Sequence, residues 1–569
     1  MNSSQLTRYR ASHNSSAFYE TIQRGGSQSA LSIREGAGPL ILRNQIIISA
    51  IIPSDAHIPD LKSYPLLDSI LSSFEIFLQW IVTNGLGPTV TARALYIWNM
   101  ALSTSWSWIQ DSTSIPLEGI HDNWNWNMRS LSPLSEKQRY VWMNHAMAGL
   151  MEGAFPGLSL ASILSTERTV CGWTEGIQAQ EVSAVQSVCN WSEFVRLWRD
   201  WLALRNTDGS SEAIQTQPSS ADVPNIDQEI QTDSDIMPPL VNPQSWTPLK
   251  IPGKARQTYL TFGWGSIRST GVPLTMDEGQ KLLSEFNLTY DGVPLTMESA
   301  LDKIADFFFV PPGQTRDQEV DDIVTLTSTL TDVQKVSAEF WAGGPHTVTP
   351  PGMMAWFWKE YIRSQRDSLP ITRVIFSGLD LAIHLFEGSR ITWRQKARKV
   401  QARPIQEIRI RRASDLITSW NGETVLGALW TPYQETDFVT PPFADFPSGH
   451  SHFSQAFANT MRVWFGETIP DIQIEKTDLA LLSPAFNGSD SQTGTIGEYI
   501  FPSGKSQIQS GSVPAVNIKL SWTTWQDMAD SAGMSRLYGG IHCLSAHTSS
   551  QAIANALHIG LESVWGFKR

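Results

Sequence analysis

Three short stretches hold the residue types that could grip and transform a tetrahedral anion. In the first, Ser448-Gly449-His450 follows Asp445-Phe446-Pro447 and opens a helical pattern in which Phe453, Phe457, Met461 and Trp464 recur three or four apart. Ser448 suits a helix N-cap, and Gly449 allows a close turn. A helix N-terminus offers free N–H groups and a positive dipole end to an anion, and His450 in the first turn would face it. In the second stretch, Lys396 and Arg403 stand seven apart, nearly two turns, so a continuous helix would put them on one face. Pro404 disfavours helix at the preceding residue, which predicts Arg403 at the helix end, free to reach out. In the third, Gly539-Gly540 divides Arg536 from His542. Arg536 can close one helix while His542 opens the next.

Each stretch alone could be ordinary: a capped helix, a solvated basic face, a turn between core helices. Together they supply one lysine, two arginines, a hydroxyl, backbone amides and two histidines, which is the inventory of an oxyanion cage. Arginine forks match tetrahedral oxyanions in bidentate geometry. One histidine can bond to the central atom while the other carries protons. A divalent-metal site from His450, His452 and Asp445 is the weakest alternative, because the lysine and arginines would repel a cation.

Lys-x6-Arg-Pro, Pro-Ser-Gly-His and Ser-Arg-x5-His, in that order, resemble the signature of vanadium-dependent haloperoxidases and the wider type 2 phosphatidic-acid-phosphatase superfamily. The flanks Tyr259-Leu260-Thr261, Ala338-Glu339-Phe340-Trp341 and Thr440-Pro441-Pro442-Phe443 resemble its bacterial-type haloperoxidase-like branch. The resemblance implies packed helical bundles with vanadate as cofactor, a site that phosphate could also fill. His542 would ligate vanadium. Lys396, Arg403, Ser448, Gly449 and Arg536 would hold the vanadate oxygens, and His450 would be the acid–base group. Trp393 and Phe443 fall where aromatic residues line the halide pocket. The implied activity is oxidation of halide by hydrogen peroxide, through peroxovanadate, to a hypohalous-acid equivalent that passes to a small organic acceptor. A soluble acid phosphatase and a non-catalytic oxyanion-binding homologue are the alternatives. The superfamily often carries Asp four residues after the last histidine, to orient it; here that residue is Ala546. Its absence weakens the phosphatase reading most and leaves vanadate affinity open. Cys543, beside the implied ligand, is an oxidation liability.

The elements that must position these groups read as helices, and the fold class is mainly α. Leu66 to Ile81 forms one broad apolar face, Gly85, Gly87 and Pro88 interrupt it, and Thr91–Trp108 resumes it. Further helical patterns run over Ser135–Met151, Trp191–Arg205, Trp356–Arg366, Ile371–Arg403, Phe453–Phe465, Trp522–Gly533 and Thr548–Trp565. Asn206–Asp235 holds seven acidic residues, no Lys or Arg, and many Ser, Thr, Gln and Pro, which predicts a disordered or surface insertion. The organisation that follows is a loose leader over 1–38, a helical region over 39–205, an acidic insertion over 206–242, and a bundle carrying the site over 243–569. The phrase Gly-Val-Pro-Leu-Thr-Met recurs at 271–276 and 292–297, and similar turn-to-helix junctions account for it.

A net charge of −13 argues against a general nucleic-acid binder, so any anion site must be built locally. The 23 tryptophans point to thick helix packing, most of them as core. Cys171, Cys189 and Cys543 make neither a disulfide framework nor a zinc spacing. The polar first thirty residues show no secretory signal. Leu40–Pro53 and Ile70–Val82 are each interrupted by polar residues, and neither reads as a membrane span. A soluble protein is expected; its compartment and oligomeric state stay open.

Overall fold

The computed structural model describes residues 65–109, 134–270, 276–286, 288, 295–309, 315–470, 482 and 497–565. The expected leader and Leu40–Pro53 lie outside them. The first layer is α1 (Leu66–Thr83), α2 (Pro88–Trp108), α3 (Glu136–Ala154), α4 (Ala161–Cys171), α5 (Glu175–Val188), α6 (Trp191–Asn206) and the short α7 (Ser210–Gln215). The break at residues 84–87 falls where glycine and proline predict it. Pro88 occupies the first turn of α2, where its missing N–H costs nothing. Among the described residues only α1 is long and apolar enough to cross a bilayer by length and composition. Its inner face is spent on the core: Phe77 stacks on Trp98 with centroids 4.4 Å apart, and Phe74 meets Trp358 edge-on.

Next come α8 (Met276–Glu285), α9 (Met297–Phe309), α10 (Arg316–Ser328) and α11 (Asp332–Phe340). α8 and α9 each begin at the methionine of the repeated phrase. The second bundle is α12 (Thr349–Ser364), α13 (Ile371–Lys399), α14 (Pro404–Arg411), α15 (Gly449–Phe465), α16 (Trp525–Tyr538) and α17 (Leu544–Trp565). α12 starts seven residues ahead of the predicted Trp356, because Pro350-Pro351 sits inside its first turn and does not precede it. α13 is the axis, buried almost continuously from Val374 to Trp393 and packed against α2, α15 and the 3-10 turn Phe262–Ser266. Three two-stranded ladders decorate the helices: Ile230–Gln231 parallel to Leu249–Lys250, Leu416–Thr418 antiparallel to Thr424–Leu426, and Glu498–Phe501 antiparallel to Ile518–Ser521. Among the described residues eleven tryptophans, including Trp98, Trp264, Trp356, Trp393 and Trp525, are under 2% exposed; they fill the core, as expected.

The acidic stretch after α6 is ordered, which corrects the expectation of disorder. Val223 and Ile230 are fully buried, and Asn225 donates through Nδ2 to Asn242 O at 2.6 Å and Ser245 O at 2.9 Å. Arg409, in α14, donates to Gln231 O and Thr232 O. The segment has few apolar residues of its own, but its backbone carbonyls satisfy a buried arginine of the bundle. Accordingly, the described residues within Asp60–Trp565 make one compact unit with no boundary at 206–242.

Candidate oxyanion site

Each block reaches the site through an interruption of helix. α13 ends at Lys399, where Val400 turns the backbone left-handed (φ 47°). Pro404 opens α14, and Arg403 is its extended N-cap residue (φ −76°, ψ 155°), as the clash ahead of proline requires. Lys396 and Arg403 therefore do not share one helix face. They meet because the turn folds back. Lys396 Nζ donates to Ala444 O (2.7 Å) and Asp445 O (3.1 Å), while Arg403 Nε donates to Phe443 O (2.7 Å). Ser448 caps α15, its Oγ accepting from Ser451 N at 3.4 Å. The amides of Gly449 and His450 have no acceptor among the described residues, as expected of a helix start. α16 ends at Tyr538, and Gly540 (φ +68°) reverses the chain with Trp430 and Pro432 packed where a Cβ would stand. His542 then lies two residues ahead of α17.

The three blocks converge. Arg403 Nη1 donates to Ile541 O at 2.9 Å and approaches His542 Nε2 at 3.1 Å. Arg536 donates from Nη2 to Ala338 O (2.7 Å) and from Nη1 to Ala342 O (3.4 Å). His450 Nε2 stands 2.9 Å from Trp341 O and 3.2 Å from Ala342 O. Carbonyls only accept, so Nε2 carries the proton and Nδ1 is left as the second working atom of His450. The C-terminal end of α11 thus forms one wall. It is anchored by Glu339, whose Oε1 accepts from Tyr433 and Ser506, both at 2.6 Å. Trp393 and Phe443 flank Lys396: their rings are 5.0 Å apart, and Lys396 Nζ lies 5.8 Å and 5.0 Å from their centroids.

Electrostatics describe a cluster waiting for negative charge. Lys396, Arg403, Arg536 and His542 are each at most 2% exposed. Burial and the neighbouring Arg403 push Lys396 well below its usual range and Arg536 down to about 9; burial pushes Arg403 down to about 10. Burial, Arg403 and Lys396 lower His542 to about 3 despite Asp445, and burial, Arg536 and His542 hold His450 well below 6.5. Both shifts favour the neutral imidazole. Arg403 Nη2 is buried with no partner, which an anion would correct.

Asp445 is the functional residue that the sequence left without a role beyond the weak metal alternative. Its Oδ1 lies 2.5 Å from His542 Nδ1 and its Oδ2 is 3.0 Å from Arg316 Nη2. Burial alone would raise this carboxyl; His542, Arg316 and Arg403 outweigh it and hold it well below the ordinary carboxylate range. The acid partner of His542 therefore comes from the second block, and Ala546 is no deficit. The clue was the carboxylate three residues ahead of Ser448. His452 takes no part. It packs against Gly388 with both ring nitrogens unpartnered, so the divalent-metal alternative fails, and no metal-holding group of three or more ligands exists among the described residues. Cys543 is fully buried, its thiol pushed up by burial, so it stays protonated and shielded. Cys171 and Cys189 are unbridged. The basic residues beside Lys396 are paired and not simply solvated: Arg394 grips Asp302, while Arg398 and Lys399 grip Asp306 on α9.

Residues 378–561 match the family model of the VCPO second helical-bundle domain, a span that holds all three blocks. That span carries the second helical-bundle domain of the vanadium chloroperoxidase type. Its fold is similar to crystal structures of a holo-type bacterial vanadium-dependent chloroperoxidase (TM-score 0.54, 14% identity, 84% of this chain and 93% of that one) and of its apo-type form (0.53, 14%, 84% and 95%). It is also similar to the first bacterial vanadium-dependent iodoperoxidase (0.54, 15%, 88% and 96%). No curated protein matches the sequence significantly. At these identities the haloperoxidase likeness is one of fold. The residues of the site nonetheless suit vanadate: Lys396, Arg403 and Arg536 are cationic types, the Gly449 and His450 amides are free, His542 Nε2 has a lone pair, and both oxygens of the nearby carboxylate are engaged elsewhere.

Proposed function

We propose that the protein is a vanadium-dependent haloperoxidase, oxidising halide with hydrogen peroxide to a hypohalous-acid equivalent. The observation that carries the proposal is that Arg403 Nη1 stands 3.1 Å from His542 Nε2 while Lys396 and Arg403 both bond the 443–445 backbone just ahead of the Ser448 turn, next to an aromatic pair. Vanadate held there would act as a Lewis acid toward peroxide. The protein's own residues do the rest. The guanidinium of Arg403 has one unpaired nitrogen for an anionic oxygen, and the α15 amides add donors that need no reorganisation. His542 offers Nε2, because Nδ1 keeps its proton on Asp445. His450 accepts a proton at Nδ1 while Nε2 stays on the Trp341 and Ala342 carbonyls just past α11. A bound anion beside Arg536 would offset the repulsion that now lowers its basicity. Trp393 and Phe443 form a dry, polarisable wall for a halide beside Lys396. An organic acceptor is required only after halide oxidation.

Phosphate-ester hydrolysis is the second reading. It is favoured by the Asp445–His542 contact, because a nucleophilic histidine needs that orienting carboxylate. The test is halide-dependent consumption of hydrogen peroxide by purified protein, with and without orthovanadate, beside phosphomonoester hydrolysis without it. Halide oxidation that requires vanadate supports the first reading; phosphomonoester turnover exceeding it establishes the second.

A further inference from the structure

The proposed oxyanion site needs His542 in one tautomer, and the residue that clamps the carboxylate imposing it belongs to an element with no motif of its own. Arg403 Nη1, a pure donor, lies 3.1 Å from His542 Nε2, so Nε2 must accept and the ring proton must sit on Nδ1. Asp445 Oδ1 receives that proton at 2.5 Å. Asp445 is fully buried, and its second oxygen is held by Arg316 at 3.0 Å, so the carboxylate cannot rotate away. Its backbone carbonyl also accepts from Lys396.

Arg316 is the first residue of α10, and its guanidinium reaches the first two blocks directly and the third through Glu319. Nη2 also donates to Ala402 O at 3.1 Å, adjacent to Arg403, and Nε donates to Glu407 Oε1 at 3.1 Å in α14. Nη1 donates to Glu319 Oε2 at 3.2 Å. Glu319 in turn accepts from Ser545 N at 2.8 Å and Ser545 Oγ at 3.0 Å, three residues past His542. One arginine and one glutamate on α10 therefore tie residues 402, 445 and 545, one beside each block.

We propose that Asp445 is the positioning residue of His542, clamped by Arg316, and that α10 fixes the register of the three blocks through the Arg316–Glu319 pair. A carboxylate clamped on both oxygens selects the Nδ1–H tautomer and aims Nε2 at the anion. That is the task an acid at position 546 would otherwise perform. Outer partners of a ligating histidine commonly control affinity by 10- to 100-fold.

The proposal rests on the oxyanion reading of the site, not on which reaction follows. The test pairs 15N spectroscopy of histidine-labelled full-length protein, with His542 assigned through His542→Gln, and calorimetric titration with inorganic phosphate and orthovanadate. The unmodified protein should carry the His542 proton on Nδ1. Asp445→Ala should shift it toward Nε2 and weaken phosphate about 10- to 100-fold. Arg316→Lys, which loses the fork to Asp445 and Ala402, should give a smaller loss in the same direction. An Nε2–H tautomer in the unmodified protein overturns the proposal, and this is readable even if Asp445→Ala does not fold. So does Asp445→Ala with unchanged tautomer and phosphate affinity. A parent protein that binds neither anion overturns the oxyanion reading instead.

Discussion

Gly388→Ala sets two effects of opposite sign against each other at the contact that aligns α13 with α15. Alanine in a helix interior is favoured over glycine by about 0.8–1 kcal/mol. At residue 388, however, a Cβ would meet the His452 ring at 2.5 Å from Cδ2, with Nε2 closer still. That ring is fully buried and has no polar partner to follow if it moves. Overpacking of this kind costs about 1–3 kcal/mol, so the net effect should be a loss of up to about 2 kcal/mol. With an unfolding entropy of about 1 kcal/mol per kelvin for roughly 500 residues, Tm should fall by about 1–2 °C. Gly153→Ala is the control. It lies in α3 with nothing within 4 Å of the added Cβ, so Tm should rise by up to about 1 °C. Differential scanning calorimetry of both variants, and of Gly388→Ala combined with His452→Ala, supplies the cycle. In the His452→Ala background, Gly388→Ala should no longer destabilise. A Gly388→Ala protein more stable than the parent by the full helix-propensity gain would refute the packing, and with it the account of how Lys396 on α13 is held opposite the α15 turn.

Acid should destabilise the fold well above the carboxylate range. Burial lowers His452 to about 3 and His547 to about 4, and His542 is lowered to about 3, whereas Asp530 is raised to about 6 by burial. Between pH 6 and 4 these three histidines alone make the unfolded chain bind about three more protons than the native one, offset by about one at Asp530, and His450, also held well below 6.5, adds in the same direction. Stability should therefore fall with falling pH, by about 3 kcal/mol per unit; denaturant titrations from pH 7 to 4.5 that show a flat profile would contradict this. Deleting residues 210–235 should lower Tm by several degrees or prevent folding, because Arg409 loses the carbonyls of Gln231 and Thr232; an unchanged melting curve would show that the segment is dispensable. Asp302→Asn should cost roughly 1 kcal/mol in urea titration, since it weakens the clamp of Arg394 and Gln395 onto α9; a value near zero would leave that pairing without consequence.

The parts of the fold legible in the sequence were those written in local chemistry. The apolar stripe of α1, the proline at the start of α2 and the Gly539-Gly540 break all act within a few residues. So does the Ser448 cap. Convergence of the cage was less accessible. Spacing alone put Lys396 and Arg403 on one helix, whereas the left-handed Val400 and the extended Arg403 make them meet across a turn. Asp445 was visible but unassigned, because its job depends on His542 and Arg316, 97 and 129 residues away. Composition misjudged 206–235 for a related reason: what orders that segment is mainly the needs of Asn225 and Arg409 for backbone carbonyls, a long-range requirement with no compositional trace.

The central claim is that His542, and not His450, is the atom-bonding member of an oxyanion cage. The most direct measurement is the titration of orthovanadate into the purified parent, His542→Ala and His450→Ala proteins, followed by calorimetry, with halide-dependent peroxide consumption read on the same samples. The parent should bind one vanadate per chain. His542→Ala should lose stable binding, and His450→Ala should keep it while peroxide turnover drops by about a hundredfold or more. Equal loss of vanadate binding in both variants, or a parent that binds none, would contradict the account.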